Sequence, residues 1–242
     1  MSSCLEQKNH LGSSKFGFIS SEGLVSTLEN HGLELDKVVE MKIRKNKELR
    51  QGFQKHRMLF NTSFKSNDGL IQLLVTNSHE GSTALRFQLG YYRYVCSNGL
   101  VVGRDIVAPI SVRHTLENTE KLNDTIAAVL MQKNKVIENI DRMQAKIIQK
   151  EDYASILKDS LDIRGYNKDK YGILTPIFEI KRLEDQKADA FTVLNVIQEN
   201  LLRTGFKAEN ERNEKITMRA IKSLDEQNRI NSELWDLLSR AA

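Results

Sequence analysis

Candidates for covalent catalysis are few in this sequence. The chain has two cysteines, Cys4 and Cys96. Cys96 is the candidate nucleophile, with His79 or His114 as its base, and Arg93 could stabilise a thiolate. The sequence contains no recognisable residue to orient either histidine, and a lone cysteine is more often a small buried apolar residue. The sequence therefore favours a protein without catalytic activity.

The same side chains do not form a recognisable metal or cofactor site. His79, Cys96 and His114 are separated by about seventeen residues each, which matches no local spacing of zinc ligands. The glycine-rich phosphate-binding loops and the nucleophile elbow are also missing from the sequence. We therefore expect no bound metal and no cofactor.

Phosphate binding is the better-supported chemistry. Residues 37–57 contain eight basic and two acidic side chains, a net charge of +6 in a chain whose net charge is +4. Clustered cations bind phosphates by releasing condensed counterions. The cations that form a candidate nucleic-acid interface are Lys42, Arg44, Lys45, Lys47, Arg50, Lys55 and Arg57.

Aromatic residues near these cations could stack on the bases of a single strand. Phe53 lies within the basic segment, and Tyr91 and Tyr92 directly precede Arg93, which also belongs to the candidate interface. Stacking on aromatic rings is tolerant of base sequence, so single-stranded DNA is the favoured ligand. Two alternatives stay open. The cations could form a solvated sheet edge with the tyrosines in the core, or they could bind an acidic protein.

Periodicity indicates how these residues are positioned in the first half of the chain. Residues 20–32 read as a short helix that Ser20 or Ser21 caps and Gly32 ends. Alternating segments predict strands at 37–45, 56–64, 70–77, 83–90, 100–103 and 106–114. Residues 91–96 could continue a strand past a bulge at Gly90 or form a helical turn. Short turns between such strands predict an antiparallel sheet with a basic hairpin.

The second half has the pattern of helices. An apolar stripe predicts one long amphipathic helix over 116–150, interrupted by Lys133, which could also pair with a second copy of the chain. A further helix is predicted at 151–162, a long loop at 163–183 and two closing helices at 189–205 and 213–241. The fold class is therefore α+β. We expect a flexible N-terminus at 1–19, a sheet-rich domain at 20–115 and a helical region at 116–242.

Several stretches resemble the uncharacterised phage/plasmid-like protein family. They are QGFQKHRMLF, TNSHEGSTALRFQLGYYRYVCSNGLVVG, SVRH, FTVLNVIQENLLRTG and IKSLDEQNRINSELWDLL. The resemblance implies a bacterial protein of conjugative plasmids or prophages, with no active site to carry over. The segment FKAENERNEKITM departs from the family pattern as a longer insertion.

Composition and resemblance together give the functional hypothesis. No apolar run approaches the roughly 18 residues that span a bilayer, and the N-terminus lacks a secretory core, so we expect a cytoplasmic protein without membrane contact. We expect a non-catalytic accessory protein of mobile DNA that binds nucleic acid through the basic hairpin. The alternative is an inhibitor that uses the same basic face against an acidic host defence or regulatory protein.

Overall fold

The computed structural model describes residues 6–7, 14–41, 51–65, 69–93, 99–115, 118, 121–166, 172–202 and 206–242. The chain forms two compact units that alternate in sequence. The first comprises Met1–Gly99 and Val107–Lys133, and the second comprises Leu100–Ile106 and Asn134–Ala242. Each unit is described by itself.

An antiparallel sheet forms the first unit, as the sequence predicts. Its strands are β1 (Glu34–Glu40), β2 (His56–Lys65), β3 (Gly69–Asn77), β4 (Leu85–Arg93) and β6 (Ile110–Val112). They are arranged in the order β1-β2-β3-β4, and β6 pairs with the start of β4. A three-residue strand, β5 (Gly99–Val101), lies where the chain passes from the first unit to the second. The α+β fold class is confirmed.

The central strands are buried because apolar side chains occupy both faces of the sheet. Every residue of β3 is buried. The register of β3 on β4 runs without a shift from Gly69 opposite Arg93 to Thr76 opposite Arg86. The strand therefore continues through Gly90 without a bulge, which decides between the two conformations left open for the start of 91–96.

Helix α1 (Ser21–Asn30) begins and ends where the capping residues predict. The Ser20 hydroxyl accepts a hydrogen bond from the Gly23 amide at 2.9 Å, which satisfies one of the free amides at the helix start. Leu24 and Leu28 are buried on one side, and Gly32 follows the helix with φ of +78°. The cap fixes the position of Ser21 as the first residue of the helix.

The single long helix predicted over 116–150 is wrong. The chain forms α2 (Leu122–Leu130), a turn, and α3 (Lys133–Ala145). Lys133 stands where the apolar stripe needs a buried side chain, and continuing the helix would bury its charge. The helix instead ends at Leu130, and the capping residue Met131 is 82% exposed. The homo-oligomer suggested by this stripe stays a prediction.

The second unit combines helices with a small sheet that sequence periodicity does not predict. Its elements are α3, α4 (Lys150–Ile163), β7 (Leu174–Ile177), a 3-10 turn (Leu183–Gln186), α5 (Ala190–Leu202), β8 (Phe206–Asn210), β9 (Lys215–Met218) and α6 (Leu224–Ala241). The strands pair antiparallel in the order β7-β8-β9.

Two predictions for this unit need correction. The stretch 163–183, predicted as a loop, contains β7, and Pro176 is tolerated there because β7 is an edge strand. The residues that depart from the family pattern form the hairpin of β8 and β9. The closing helix therefore begins at Leu224 instead of residue 213.

Helices α5 and α6 carry the core of the second unit. Asp189 caps α5 by accepting a hydrogen bond from the Thr192 amide at 2.9 Å. The predicted anchors of α6, Leu234, Trp235 and Leu238, are all buried. The Trp235 ring meets Phe191 of α5 edge-on with ring centroids 6.2 Å apart. In the part of the chain that the structure describes, no helix has the length and apolar character needed to cross a membrane.

Candidate functional site

Of the seven cations in the basic segment that are predicted to bind phosphate, the structure describes two. Lys42, Arg44, Lys45, Lys47 and Arg50 lie outside the described residues. Lys55 is half-buried, and the side chain of Arg57 is buried in β2. Arg57 is therefore enclosed by protein in this conformation, whereas Lys55 keeps partial access to solvent.

The ends of the basic segment are joined at the edge of the sheet. The Met41 amide donates a hydrogen bond to the Lys55 carbonyl at 3.0 Å, next to the pairing of Glu40 with His56 at the ends of β1 and β2. Residues 42–54, here called the basic connection, link these two antiparallel neighbours. They contain five basic side chains and one acidic side chain. The predicted hairpin pairing of β1 and β2 is thus present.

The aromatic residues assigned to base stacking differ in their access. Phe53 is 7% exposed and Tyr91 is 2% exposed, so both rings lie in the core. Arg93 is also buried, whereas Tyr92 is half-buried. Of these residues, Tyr92 keeps a surface on which a base could stack without rearrangement of the fold.

The histidines proposed as bases for a cysteine have other neighbours. Cys96 lies outside the described residues. His114 stacks on Phe16 with ring centroids 5.0 Å apart, and burial lowers the pKa of its imidazole. His79 instead approaches a serine at the start of α1. A serine, Ser21, is thus the hydroxyl that His79 contacts.

Ser21 lies at the centre of a buried polar cluster in the first unit. Its Oγ is 2.6 Å from His56 Nε2 and 3.0 Å from His79 Nε2. The Asn77 side-chain amide donates a third hydrogen bond to the same oxygen at 3.0 Å. Ser21 is 7% exposed, His56 1% and His79 0%. We call Ser21, His56, Asn77 and His79 the serine cluster.

The hydrogen bonds of the cluster determine which groups donate. His56 Nδ1 lies 3.1 Å from the Gln54 carbonyl, which can only accept, so Nδ1 carries a hydrogen. Burial lowers the pKa of His56 and favours its neutral form, in which Nε2 has a free lone pair. The Ser21 hydroxyl therefore donates to His56. His79 and Asn77 then both donate to Ser21 Oγ.

Packing fixes the two imidazoles against each other and against the segment before α1. The rings of His56 and His79 are nearly perpendicular, with centroids 5.1 Å apart. Phe18 contacts His79 edge-on at 5.0 Å. Asn77 is also oriented by its hydrogen bond to the Ile19 carbonyl at 3.1 Å. Each side chain of the cluster therefore has a second contact.

A carboxylate from the N-terminal segment closes the cluster. Glu6 Oε2 accepts hydrogen bonds from the Ser20 hydroxyl at 2.8 Å and the Ser21 amide at 2.9 Å. Its other oxygen lies 4.0 Å from His79 Nε2. A negatively charged group at the start of α1 is stabilised by the free amides and the helix dipole.

Sequence reasoning did not find this cluster. The separations from Ser21 to His56, Asn77 and His79 are 35, 56 and 58 residues, so no local motif signals them. The sequence indicates Ser21 as a possible helix cap and His56 as the first residue of a strand. The available signal is the pair of histidines, because His56 begins one predicted strand and His79 follows the end of the next predicted strand.

A metal-binding reading of this region is not supported. Among the residues that the structure describes, no group of three or more His, Cys, Asp or Glu side chains is placed to hold a metal ion. The serine cluster joins two imidazoles to a hydroxyl and an amide instead. The contacts observed in the cluster are hydrogen bonds.

Comparison with known proteins shows the family of this chain. The profile of DUF932, a domain of unknown function, matches residues 10–235, and the chain belongs to this family. Two Escherichia coli K12 proteins, UPF0380 protein YfjQ and UPF0380 protein YafZ, are each 24% identical over 232 residues. Each alignment covers 95% of this chain and 84% of the relative. No solved structure gives a significant match.

Proposed function

We propose that this member of the DUF932 family binds nucleic acid through the basic connection, with single-stranded DNA favoured, as an accessory protein of mobile DNA. The observation that supports the proposal is the hydrogen bond between the Met41 amide and the Lys55 carbonyl. It brings both ends of the basic connection to neighbouring positions on adjacent strands. Residues 42–54, whose sequence carries five cations, begin and end next to these positions.

The charge of the basic connection supports a polyanionic ligand. Five basic residues and one acidic residue give residues 42–54 a net charge of +4, equal to that of the whole chain. The remaining residues are balanced, so the excess charge that attracts a polyanion lies in one short segment. Binding to phosphates through such a segment depends on counterion release and hence on salt.

The preference for single-stranded over double-stranded DNA depends on aromatic side chains that can stack on bases, and fewer of them are accessible than the sequence suggests. Phe53 and Tyr91 are buried, which leaves Tyr92 as the described residue able to stack on a base. The mobile-DNA part of the proposal is supported by the sequence resemblance alone.

The test is a comparison of two variants that each lose five positive charges. In the first, the cations of the basic connection, Lys42, Arg44, Lys45, Lys47 and Arg50, are replaced by glutamine. In the control, five exposed lysines of the second unit, Lys135, Lys146, Lys150, Lys181 and Lys187, are replaced in the same way. Fluorescence anisotropy with a labelled single strand and a matched duplex measures binding at low salt.

The proposal requires the wild type and the control to bind, and the first variant to lose binding. Equal loss in both variants would show unspecific attraction by net charge, and no binding by the wild type would remove the proposal. Pull-down from a bacterial lysate with nuclease tests the alternative. A protein that persists after nuclease treatment, and is lost with the first variant, would assign the basic connection to an acidic protein.

A further inference from the structure

We propose that Ser21 is a covalent nucleophile, activated by His56, in a site for an acyl or phosphoryl electrophile that Glu6 closes. This inference goes beyond nucleic-acid binding and does not depend on it, because no side chain of the serine cluster belongs to the basic connection. The Gln54 backbone carbonyl, which contacts His56, lies at the end of that connection. It rests on four features of the first unit: a base, two hydrogen-bond donors, an oxyanion position and a cover.

His56 has the geometry of a general base. Its Nδ1–H is held by the Gln54 carbonyl at 3.1 Å, which directs the Nε2 lone pair at Ser21 Oγ, 2.6 Å away. This is the relationship of nucleophile, base and orienting group that activates serine in unrelated hydrolase folds. The orienting group here is a backbone carbonyl in place of a carboxylate.

Two donors face the oxygen that would lose its proton. His79 Nε2 and the Asn77 side-chain amide each lie 3.0 Å from Ser21 Oγ. A neutral hydroxyl donates one hydrogen bond and can accept two, and the same two donors stabilise negative charge on the oxygen when its proton is lost. Fixed donors in a site of low dielectric act strongly on developing negative charge. The arrangement thus favours transfer of the serine proton to His56.

The position of an oxyanion is marked by the Glu6 carboxylate. Glu6 Oε2 accepts hydrogen bonds from the Ser21 amide at 2.9 Å and the Ser20 hydroxyl at 2.8 Å. The amide of the nucleophilic residue itself is one of the oxyanion donors in the serine protease template. The Glu6 oxygen stands in for the negatively charged oxygen of a tetrahedral acyl or pentavalent phosphoryl species.

The reaction that this arrangement supports is transfer to Ser21. A lone pair of the Oγ, released when the hydrogen bond from His79 or Asn77 breaks, attacks the carbonyl carbon or phosphorus. The serine proton passes to His56 Nε2, and the electrophile's oxygen takes the place of Glu6 Oε2. The bond to the leaving group then breaks, and the leaving group takes the proton from His56. In the second half of the reaction, His56 takes a proton from water, the water attacks the serine ester, and the proton returns to Ser21 Oγ as the ester bond breaks.

Access to Ser21 requires Glu6 to move. Ser21 is 7% exposed, and the side chain of Glu6, which contacts it, is 26% exposed. Glu6 is held in this site by two hydrogen bonds from Ser20 and Ser21. Its removal would free the oxyanion position and increase reactivity, whereas a cluster that only fastened α1 to the sheet would gain no reactivity.

A fluorophosphonate probe tests this proposal directly. Attack of Ser21 Oγ on phosphorus breaks the P–F bond and releases fluoride, with the proton passing through His56 to solvent. The full-length wild type, Glu6→Ala, Ser21→Ala, His56→Gln and the control Ser26→Ala are incubated with the probe, and mass spectrometry locates the phosphonyl group. Ser26 is an exposed serine of the same helix whose hydroxyl bonds the Glu22 carbonyl.

The expected result is a phosphonyl group on Ser21 in the wild type and in Ser26→Ala, added faster in Glu6→Ala. Ser21→Ala should stay unlabelled, and His56→Gln should react slower than the wild type by a factor of at least about a hundred. Two outcomes overturn the proposal: the wild type is not modified, or the group is found on another residue. Because the wild type alone decides the site of labelling, misfolding of a variant leaves the test intact.

Discussion

Asp236 of α6 and Gly103 touch so closely that no other residue fits at position 103. Both oxygens of the Asp236 carboxylate accept backbone hydrogen bonds, from the amides of Arg104 and Asp105, at 3.1 Å each. A Cβ on Gly103 would overlap Asp236 Oδ1. The missing side chain is therefore what lets the carboxylate reach the two amides that follow.

Gly103→Ala should destabilise the protein, because the methyl group and the carboxylate cannot both occupy this space. We expect a loss of about 1–3 kcal/mol in the free energy of unfolding. Gly23→Ala is the control, since a Cβ there meets only ordinary contacts with Ser20 at 3.5 Å and alanine favours a helix by up to about 1 kcal/mol. Urea unfolding measures both, and equal stabilities would contradict the assignment.

Asn139→Ala should destabilise the second unit because the buried Trp235 indole N–H loses its acceptor, whereas Ser239 Oγ keeps a hydrogen bond from Arg142 at 2.9 Å. The Asn139 side chain accepts a hydrogen bond from Trp235 Nε1 at 2.7 Å and donates one to Ser239 Oγ at 2.7 Å. Loss of such partners costs about 1–3 kcal/mol. Asn134→Ala, at an exposed position of the same helix, should change stability by less than about 0.5 kcal/mol. The chain has one tryptophan, so its fluorescence reports the transition.

Stability should decrease in mild acid because His56 is neutral in the folded protein. Burial lowers its pKa from the ordinary value of 6.5, and the nearby His79 acts in the same direction, opposed by the Gln54 carbonyl, Glu6 and Glu40. Below the unfolded value the unfolded chain binds a proton that the folded chain does not. The stability is therefore present above about pH 6.5 and lost as pH falls towards the lowered pKa.

The slope of that loss identifies the histidine. One such group contributes up to about 1.4 kcal/mol per pH unit, and burial lowers the pKa of His114 in the same direction. His56→Gln should therefore retain a weaker pH dependence than the wild type. Urea unfolding at several values between about pH 7.5 and pH 5.5 measures it. Identical slopes for the wild type and the variant would exclude His56 as the source.

Nucleic-acid binding should weaken steeply with salt. If all five cations of the basic connection contact phosphates of a single strand, the logarithm of the binding constant falls with the logarithm of salt concentration with a slope of about −3.5. Replacing Lys45 alone by glutamine should reduce the slope by about 0.7. Anisotropy titrations at several salt concentrations measure it. A slope near zero would show that phosphate contacts do not drive binding.

Local signals predicted the elements of the first unit well. Alternation of apolar residues gave β2, β3 and β4, and the cap at Ser20 and the glycine at position 32 gave the bounds of α1. These signals are local because side-chain direction and free amides depend on residues within a few positions. The prediction of one long helix over 116–150 was wrong near Lys133. An apolar stripe does not show that a helix ends where its continuation would bury a charge.

The sequence by itself determined the α+β class, the antiparallel pairing and the concentration of positive charge in residues 42–54. Only the tertiary structure decided that His56 and His79 both form hydrogen bonds with the Ser21 hydroxyl. It also decided that Tyr91 is buried while Tyr92 is partly accessible, and that β8 and β9 form a hairpin. The reason is physical. Patterns record the preferences of neighbours along the chain, whereas hydrogen bonds between residues 35 or 58 positions apart form only when packing brings their strands and helix together.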